Sequence, residues 1–306
     1  MNHNIEALNQ KFSFENDKSQ LRFVHGEGDF PVVEITNEQA SARISLQGAH
    51  LLSWIPSGEK EVLWVSESAS FKVGKSIRGG IPICWPWFGA HENNESFPAH
   101  GFARTSMWEV VKTEALEDGR TRISFSLPLA EYINWWPYPT EVFYQVTVGQ
   151  TLEIELDTYN KGSQAITIGQ ALHTYFNVAD VSRVMLHGLD GAEYLDKLDG
   201  FNRYQQQGAV VFNHEVDRVY LDTVNDCVIQ DTVLNRNIVI IKCGSHSTVV
   251  WNPWQQTADR MGDLGNEGYK KMLCVESSNA ADDVVVIEPG HQHQLWVKYE
   301  VLQGEK

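Results

Sequence analysis

Apolar and polar residues alternate with a period of two along much of the chain from Pro31 onward. Residues 42–46, 123–127 and 152–156 each place an apolar side chain at every second position. This alternation predicts β-strands with one buried and one solvent-facing side. The same reasoning predicts strands at residues 142–148, 151–158, 165–178, 183–189, 209–212, 218–221, 237–243, 248–251, 271–276, 284–287 and 293–302. Many short strands separated by turn signals favour an all-β antiparallel sandwich or barrel.

Few stretches interrupt this pattern. Residues 5–12 could form a short helix, and residues 257–271, rich in Gly and Asp, predict a mobile loop. Gly149-Gln150 joins two of the predicted strands, and glycine at the first loop position predicts a type II′ hairpin turn. Nothing resembles a linker or an internal repeat. We therefore expect a polar lead-in over residues 1–28 and a single β domain over residues 29–306.

Charge narrows the possible ligands. The 306 residues carry a formal net charge of -16, which argues against nucleic acid or an anionic membrane as partner, since both require a basic surface. An anionic small molecule would need a local cationic pocket within this acidic protein. Arg78, Arg104 and Lys75 are the candidates for that pocket.

The cysteines and the N-terminal residues indicate in which cellular compartment the protein works. Four scattered cysteines form no CxxC pair, so neither a disulfide framework nor a zinc site is expected. The first twenty residues contain no apolar signal core, and no apolar run is long enough to span a bilayer. We expect a reduced, cytoplasmic protein that works as a monomer.

The stretch from Arg78 to Arg104 combines two arginines and a histidine with glycines, prolines and large aromatics. It contains Arg78-Gly79-Gly80-Ile81-Pro82 and, further on, His100-Gly101-Phe102-Ala103-Arg104. Glycine permits close backbone approach to a ligand, and a guanidinium suits an oxygen-rich anion. An aromatic core crossover with arginines extending to solvent explains the stretch equally well.

Two titratable residues in distant predicted strands are candidates for acid–base chemistry. His173 shares a strand face with Ala171 and Tyr175, and Glu276 ends an apolar strand that also carries Cys274. A lone strand histidine is more often structural than catalytic. A carboxylate at a strand end either faces solvent or acts as a base in a cleft. Spacing alone does not show that the two residues meet.

Six ordered motifs resemble the hexose-6-phosphate mutarotases, a branch of the aldose 1-epimerase family. They cover nearly everything from about residue 47 to the C-terminus. The motifs are Arg78-Gly79-Gly80-Ile81-Pro82 with the following Trp-Pro-Trp-Phe-Gly run, His100-Gly101-Phe102-Ala103-Arg104, Leu172-His173-Thr174-Tyr175-Phe176, Asp217-Arg218-Val219-Tyr220, Trp251-Asn252-Pro253 and Cys274-Val275-Glu276. The resemblance implies a large antiparallel β-supersandwich of the galactose mutarotase type, in agreement with the predicted strands.

The same resemblance implies roles for individual residues. The catalytic pair falls on His173 and Glu276, and the remaining positions are implied to bind substrate. Among those, Arg78 and Arg104 would hold a sugar phosphate, Asp217 would hydrogen-bond sugar hydroxyls, and His100 would line the site. One position differs, because family members often carry glutamine where this chain has Ala99.

These residues predict an isomerase that interconverts the anomers of a hexose 6-phosphate. His173 would protonate the ring oxygen while Glu276 takes the proton of the C1 hydroxyl, with the roles exchanged on ring closure. No cofactor and no metal is expected, because neither redox chemistry nor phosphoryl transfer occurs.

Three other functions compete with this prediction. A 1-epimerase of free sugars would lose activity equally on both substrates in Arg104→Ala, whereas a sugar-phosphate enzyme would show a higher KM for the phosphorylated sugar only. A binding protein would show no turnover. A glycoside hydrolase would need a carboxylate pair such as Asp217 with Glu276.

Overall fold

The computed structural model describes residues 4–304 of the chain. Over that range the backbone forms two α-helices, α1 (Ile5–Phe12) and α2 (Trp254–Met261), and 24 β-strands. The strands are β1 (Phe14–Glu15), β2 (Ser19–His25), β3 (Pro31–Asn37), β4 (Ala40–Ser45), β5 (His50–Pro56), β6 (Ile83–Cys84), β7 (Glu109–Ala115), β8 (Thr121–Ser126), β9 (Thr140–Val148), β10 (Thr151–Asn160), β11 (Ile166–Ile168), β12 (Gln170–Leu172), β13 (Tyr175–Asn177), β14 (Val184–His187), β15 (Glu193–Asp196), β16 (Asn202–Gln205), β17 (Val210–Val211), β18 (Val216–Tyr220), β19 (Cys227–Asp231), β20 (Arg236–Cys243), β21 (Ser247–Asn252), β22 (Met272–Asn279), β23 (Val285–Ile287) and β24 (Gln292–Gln303). Short 3-10 turns lie at Glu27–Asp29, Ala103–Thr105, Ala130–Tyr132, Val181–Arg183, Lys197–Asp199, Gly268–Lys271 and Ala281–Asp283.

The strands assemble into three large sheets and one small one. The first sheet has the order β1-β2-β3-β4-β5, and the second has the order β17-β14-β19-β20-β24-β10-β9-β8-β7. The third has the order β16-β15-β18-β21-β22-β12-β6, with β13 also paired to β22, while β11 and β23 form a pair of their own. All these strand pairs are antiparallel. The predicted all-β antiparallel fold is therefore confirmed.

One hydrophobic cluster connects the three large sheets. It includes Trp54 of the first sheet, Ile154 of the second and Val275 of the third, all fully buried. Burying such a side chain contributes roughly 1.5–3 kcal/mol each. The indole N–H groups remain satisfied inside the core, since Trp54 donates to the carbonyl of Gly149 at 3.1 Å. The apolar side of the strands that the alternating pattern predicts is thus the side that packs into this cluster.

The polar N-terminal segment contributes to the first sheet. Helix α1 has the predicted bounds, and the side chain of Asn4 caps it by accepting the backbone N–H of Glu6. Strand β2, which was not predicted, pairs along its length with β3 and buries Leu21 and Phe23. Leu21 and Phe23 alternate only with Gln20 and Arg22 before the apolar Val24, and this run is too short to stand out in the sequence.

Three local predictions differ from the structure. The strand predicted over residues 165–178 is divided into β11, β12 and β13, because Gly169 and His173 donate their backbone N–H groups to Pro86 and Pro82 instead of to a neighbouring strand. The hairpin at Gly149 is present, but this glycine is not among the positive-φ residues that a type II′ turn requires. The side chain of Gln39, which accepts the N–H of Gln150, holds the turn instead.

The loop predicted over residues 257–271 begins inside helix α2. The side chain of Asn252 accepts the N–H of Trp254 and starts the helix, and Ala258 is buried on its inner face. Among residues 4–304 no helix is both long and apolar enough to cross a membrane.

Candidate active site

A cavity of about 290 Å³ opens over the third sheet and contains all six residues that the sequence singled out. Its lining consists of Ser76, Arg78, Phe88, His100, Arg104, His173, Lys197, Asp217, Val249, Trp251, Met261 and Glu276. The sheet forms the floor, where β18 supplies Asp217 and β22 supplies Glu276. The two segments that flank β6 form a wall and carry Arg78 and Arg104. Residues far apart in sequence thus share one concave, mixed polar site.

Tight turns bring the arginine segments to the cavity. Gly80 has φ +63, and a Cβ there would lie 2.3 Å from the carbonyl oxygen of Leu51. Gly101 has φ +71, and a Cβ there would lie 1.9 Å from the carbonyl oxygen of Trp85. Both positions therefore require glycine, because a side chain would meet backbone atoms. His50 supports the first turn, since its Nε2 donates to the carbonyl of Gly79 at 2.7 Å.

His173 and Glu276 face each other at the cavity floor. His173 follows β12 in the gap before β13, and its Nδ1 lies 3.2 Å from Oε1 of Glu276. Glu276 is 1% exposed and His173 is 9% exposed. Strand β22 continues to Asn279, so Glu276 lies in the middle of a buried strand and the prediction that it ends the strand is wrong. Its Oε2 has no hydrogen-bond partner among the described residues.

Burial shifts both members of this pair toward their neutral forms. It raises the pKa of Glu276 well above its usual range, although Lys197 and Arg104 act in the opposite direction. Burial also lowers the pKa of His173 well below its usual range, and the nearby His100, Arg104, Arg78 and Lys197 add to that effect. A carboxylic acid beside a neutral imidazole holds one proton that the pair can move.

Tyr175 connects His173 to Arg78. The rings of His173 and Tyr175 stack at a centroid distance of 4.8 Å and an interplanar angle of 7°. The Tyr175 hydroxyl accepts a hydrogen bond from Nη1 of Arg78 at 2.9 Å. The stacking on Tyr175 fixes the plane of the His173 imidazole, and the hydrogen bond to the same tyrosine fixes one edge of the Arg78 guanidinium.

The three cations of the cavity differ in their partners. Arg78 pairs with Asp263, which accepts from its Nε at 3.1 and 3.2 Å. Lys197 pairs with Asp217 at 2.8 Å. Arg104 donates to the carbonyl of Ala99 at 2.8 Å, and within residues 4–304 no carboxylate pairs with it.

His100 and Asp217 complete the lining. His100 has φ 65, and its Nδ1 accepts the N–H of Gly89 at 3.3 Å. Burial lowers the pKa of His100 to about 3, so its ring is neutral near pH 7. Burial raises the pKa of Asp217 against the opposing effect of Lys197, and its Oδ1 has no partner among the described residues. An unpartnered buried oxygen beside a cavity is free to accept from a ligand hydroxyl.

Sequence reasoning missed several residues of the site. Lys197 and Asp263 lie outside the six motifs, and Tyr175 lies inside the motif around His173 but received no role there. Lys75, which had been considered for the cationic pocket, is exposed and does not line the cavity. Only the three-dimensional contact between residues 78 and 263 reveals the pairing of Arg78.

One set of donors in the site could be considered for a metal. An imidazole nitrogen of His173, the Cys274 sulfur and a Glu276 oxygen lie within 4.8 Å of one another. Metal ligation needs the thiolate and the carboxylate. Burial raises the pKa of both Cys274 and Glu276 well above the usual ranges, so their protonated forms do not suit a cation.

Comparison with known proteins places this chain and its fold in a family. The chain matches the family model described as "Aldose 1-epimerase" over residues 31–300. The chain therefore belongs to the aldose 1-epimerase family, as its six motifs had indicated.

Individual relatives cover most of the chain. A protein of Salmonella typhimurium named "Putative glucose-6-phosphate 1-epimerase" is 40% identical over 251 residues, which are 81% of this chain and 83% of the relative. A relative of the same name from Escherichia coli is 38% identical over 270 residues, which are 87% of this chain and 90% of the relative. The crystal structure of a "putative mutarotase (YeaD)" from Salmonella typhimurium matches with a TM-score of 0.86 and 33% identity, covering 98% of this chain and 99% of that chain. The predicted mutarotase-type β-sandwich fold is confirmed.

Proposed function

We propose that this chain interconverts the α and β anomers of a hexose 6-phosphate, with glucose 6-phosphate as the first candidate. The observation that carries the proposal is the buried pair of His173 and Glu276, 3.2 Å apart, at the floor of a cavity whose walls hold three cations. Proton transfer at two oxygens of one sugar carbon needs such a pair, and a phosphate needs such a wall. The names of the relatives support the same substrate class.

The reaction opens and closes the sugar ring. His173 gives a proton to the ring oxygen while Glu276 takes the proton of the C1 hydroxyl, so the bond between C1 and the ring oxygen breaks and C1 becomes an aldehyde. Rotation about C1–C2 then presents the other face of the aldehyde. Closure reverses both transfers, and the number of protons on the enzyme is unchanged. General acid–base help of this kind typically contributes roughly 10²–10⁴-fold.

In the substrate-free protein, the protonation states of His173 and Glu276 are those that exist after ring opening and before ring closure. Without substrate, burial favours a protonated Glu276 and a neutral His173, which is the state that ring opening produces. Opening therefore requires that the proton first reside on His173. Breaking and re-forming the bond between C1 and the ring oxygen requires proton transfers but no electron or group transfer, so the proposed mechanism needs no metal and no organic cofactor.

The cavity walls suggest how the substrate is oriented. Arg104 is the cation without a carboxylate, so the phosphate binds there first, with Arg78 and its two remaining N–H groups close by. Asp217 accepts from ring hydroxyls through its unpartnered Oδ1, while its Oδ2 pairs with Lys197. His100, neutral by burial, lines the cavity beside His173, with the two ring centroids 5.9 Å apart.

A specific observation favours a second candidate, a 1-epimerase of free sugars. Arg78 is already occupied by Asp263, and Ala99 provides no side-chain amide near Arg104. Both facts weaken phosphate binding relative to a site with two free arginines. The uncompensated Arg104 is the reason that we favour the phosphorylated substrate.

The experiment is two-dimensional exchange NMR of anomer interconversion on glucose 6-phosphate and on glucose, with wild type and His173→Ala. We expect rapid exchange on the phosphorylated sugar that the variant loses. Equal acceleration on both sugars would transfer the assignment to a free-sugar epimerase. Binding without acceleration on either would show a non-catalytic sugar-phosphate-binding protein.

We also propose that the protein works as a monomer in the cytoplasm. The support is that all four cysteines are unpaired thiols, three of them buried, as expected for a reducing compartment. Size-exclusion chromatography with light scattering tests the monomer, and a mass near twice 34.7 kDa would contradict it.

A further inference from the structure

The cavity carries an uncompensated positive charge beside its acid–base pair. Three cations, Arg78, Arg104 and Lys197, line it, and two carboxylates, Asp263 and Asp217, pair with the first and the last of them. The charge of Arg104 remains without a carboxylate partner among residues 4–304. At the floor, Glu276 is held neutral by burial and Asp217 is paired with Lys197, so neither of these two groups balances the charge of Arg104.

His173 is exposed to this positive potential from several elements. Its ring stacks on Tyr175, whose hydroxyl accepts from Arg78, and the ring of His100 lies 5.9 Å away across the cavity. The titratable and charged groups around it are Arg78, His100, Arg104, Tyr175, Lys197, Asp217, Cys274 and Glu276. Three of these are cations, and like charges oppose a further positive charge on the imidazole.

We infer that the phosphate of the substrate is an activator of the reaction as well as a handle for binding. Bound at Arg104, a dianion cancels the excess positive charge of the cavity and allows His173 to hold the proton that it must give to the ring oxygen. A phosphate monoester carries about -1.5 to -2 charges at pH 7, enough to reverse the sign of the cavity charge. This inference rests on the proposed function and adds a reason for its substrate specificity.

The direction of the His173 pKa agrees with this account. Burial lowers that pKa first, and the charges of Arg104, Arg78 and Lys197 lower it further. A bound dianion removes the cationic contribution, because burial persists or increases when the cavity fills. Arg104 ranks first among the three cations that act on His173 and below Lys197 among those that act on Glu276, so we expect a dianion at Arg104 to raise the pKa of His173 more than that of Glu276 and thereby to favour the proton on His173. At an effective dielectric constant of about 20, one charge about 6 Å from the imidazole changes its protonation equilibrium by roughly a hundredfold, and the smaller rise of the Glu276 pKa reduces the net gain for proton transfer to His173.

Free and phosphorylated sugars should therefore differ in kcat as well as in KM. A handle that only binds would lower KM and leave kcat unchanged, since it stabilises bound substrate and transition state equally. A free hexose fills the cavity but leaves Arg104 uncompensated, so His173 stays neutral for most of the time. The same reasoning predicts that a separate dianion can restore the missing charge.

The test is the rate of anomer exchange on free glucose, measured by NMR with added sodium sulfate or with sodium chloride at equal ionic strength. Sulfate is a dianion without a transferable proton near pH 7, so it supplies charge but no buffer catalysis. We expect sulfate to accelerate the wild-type enzyme about ten- to a hundredfold. Arg104→Gln should abolish this acceleration. The matched control Arg22→Gln removes an exposed arginine of the first sheet and should retain it.

A second measurement keeps the inference testable if Arg104→Gln does not fold. The wild-type exchange rate on glucose should decrease with rising pH as His173 loses its proton. Without sulfate this decrease should occur at a lower pH than with sulfate, because the dianion raises the pKa of His173. Arg104→Lys, which keeps the charge, should preserve the sulfate effect.

The outcomes separate the inference from the function on which it rests. Absence of exchange on glucose 6-phosphate would remove the proposed function itself. If exchange on glucose 6-phosphate is rapid but sulfate inhibits exchange on glucose or leaves it unchanged, the inference alone is overturned. Equal kcat values for the two sugars with different KM values would also overturn it.

Discussion

Two regions of this molecule bury ionisable side chains, and they treat them in opposite ways. Arg236 is 2% exposed and donates to the backbone carbonyls of Lys60, Glu61 and Asn177. Glu276 is as deeply buried, yet its Oε2 has no hydrogen-bond partner within residues 4–304. The first arrangement gives both Nη atoms of a permanent charge carbonyl acceptors and leaves only Nε without one, while the second leaves a carboxyl oxygen available beside a cavity.

Position relative to the cavity distinguishes the two regions further. Lys242, like Arg236, is surrounded by acceptors, with four oxygens within 3.1 Å of its Nζ. Unpartnered polar atoms also occur elsewhere, as at Nδ1 of His50, which is sealed inside the core. At Glu276 the unpartnered atom lies beside a titratable histidine and faces an open cavity. That combination, rather than burial alone, indicates a functional site.

The comparison predicts its largest stability effect at the satisfied site. Replacing Arg236 by Met removes the guanidinium donors of the Lys60 and Asn177 carbonyls and one of the two side-chain donors to the Glu61 carbonyl, so we expect the free energy of unfolding to fall by about 3 kcal/mol. Turnover per folded molecule should stay at the wild-type level, because Arg236 does not line the cavity. Urea unfolding with a parallel exchange assay measures both quantities.

The control for this prediction is Arg22→Met, which removes an exposed arginine and should change stability by at most about 0.5 kcal/mol. A loss below about 1 kcal/mol in Arg236→Met would contradict the claim that the satisfied charge is structural.

His50 tests the effect of a buried group that is sealed from the cavity. Burial lowers the pKa of His50 from 6.5 to about 4 in the folded chain, so between these values the unfolded chain binds more protons. Stability due to the neutral ring is present above pH 6.5 and is lost as the pH falls toward 4. Between pH 7 and pH 5 the loss is about 2 kcal/mol.

In His50→Asn this part of the pH dependence should disappear, whatever the variant does to stability at pH 7. Urea unfolding at pH 7, 6 and 5 measures the slope. The exposed His214→Asn should keep the wild-type slope. An unchanged slope in His50→Asn would show that this histidine does not couple folding to pH.

Tyr175 sharpens the comparison on the functional side. Tyr175→Phe keeps the stack on His173 but removes the acceptor of Arg78, which is a hydrogen bond to a charged group. We expect kcat/KM for glucose 6-phosphate to fall about tenfold, and the exchange rate on free glucose to change less than about threefold.

Tyr204→Phe removes an exposed hydroxyl from the edge of the same sheet and is the matched control. Equal losses on both sugars in Tyr175→Phe would mean that the tyrosine acts through His173 instead of through Arg78.

The sequence predicted the strands of this fold better than it predicted their interruptions. The alternation in β10 is visible because every second residue meets the core, and β24 shows the same pattern over most of its length, whereas all eight residues of β22 are buried. The breaks at Gly169 and His173 depend on hydrogen bonds that these residues donate to the carbonyls of Pro86 and Pro82, which lie more than about eighty residues away in sequence. No local pattern encodes such contacts.

The candidate site shows the same division. His173, Glu276, Arg78 and Arg104 lie in motifs that sequence comparison can find, and the structure places them in one cavity. Lys197 and Asp263 lie in turns, where nearly any polar residue is tolerated. Their importance follows from their ion pairs with Asp217 and Arg78, so only the three-dimensional structure reveals it.

The most direct test of the central claim is the exchange rate of glucose 6-phosphate anomers with Glu276→Gln. The amide keeps the shape of the carboxyl but cannot take a proton, so we expect the rate to fall about 10²–10⁴-fold, with the free energy of unfolding nearly unchanged. A variant that retains the wild-type rate would contradict the assignment of the buried pair as the acid and base.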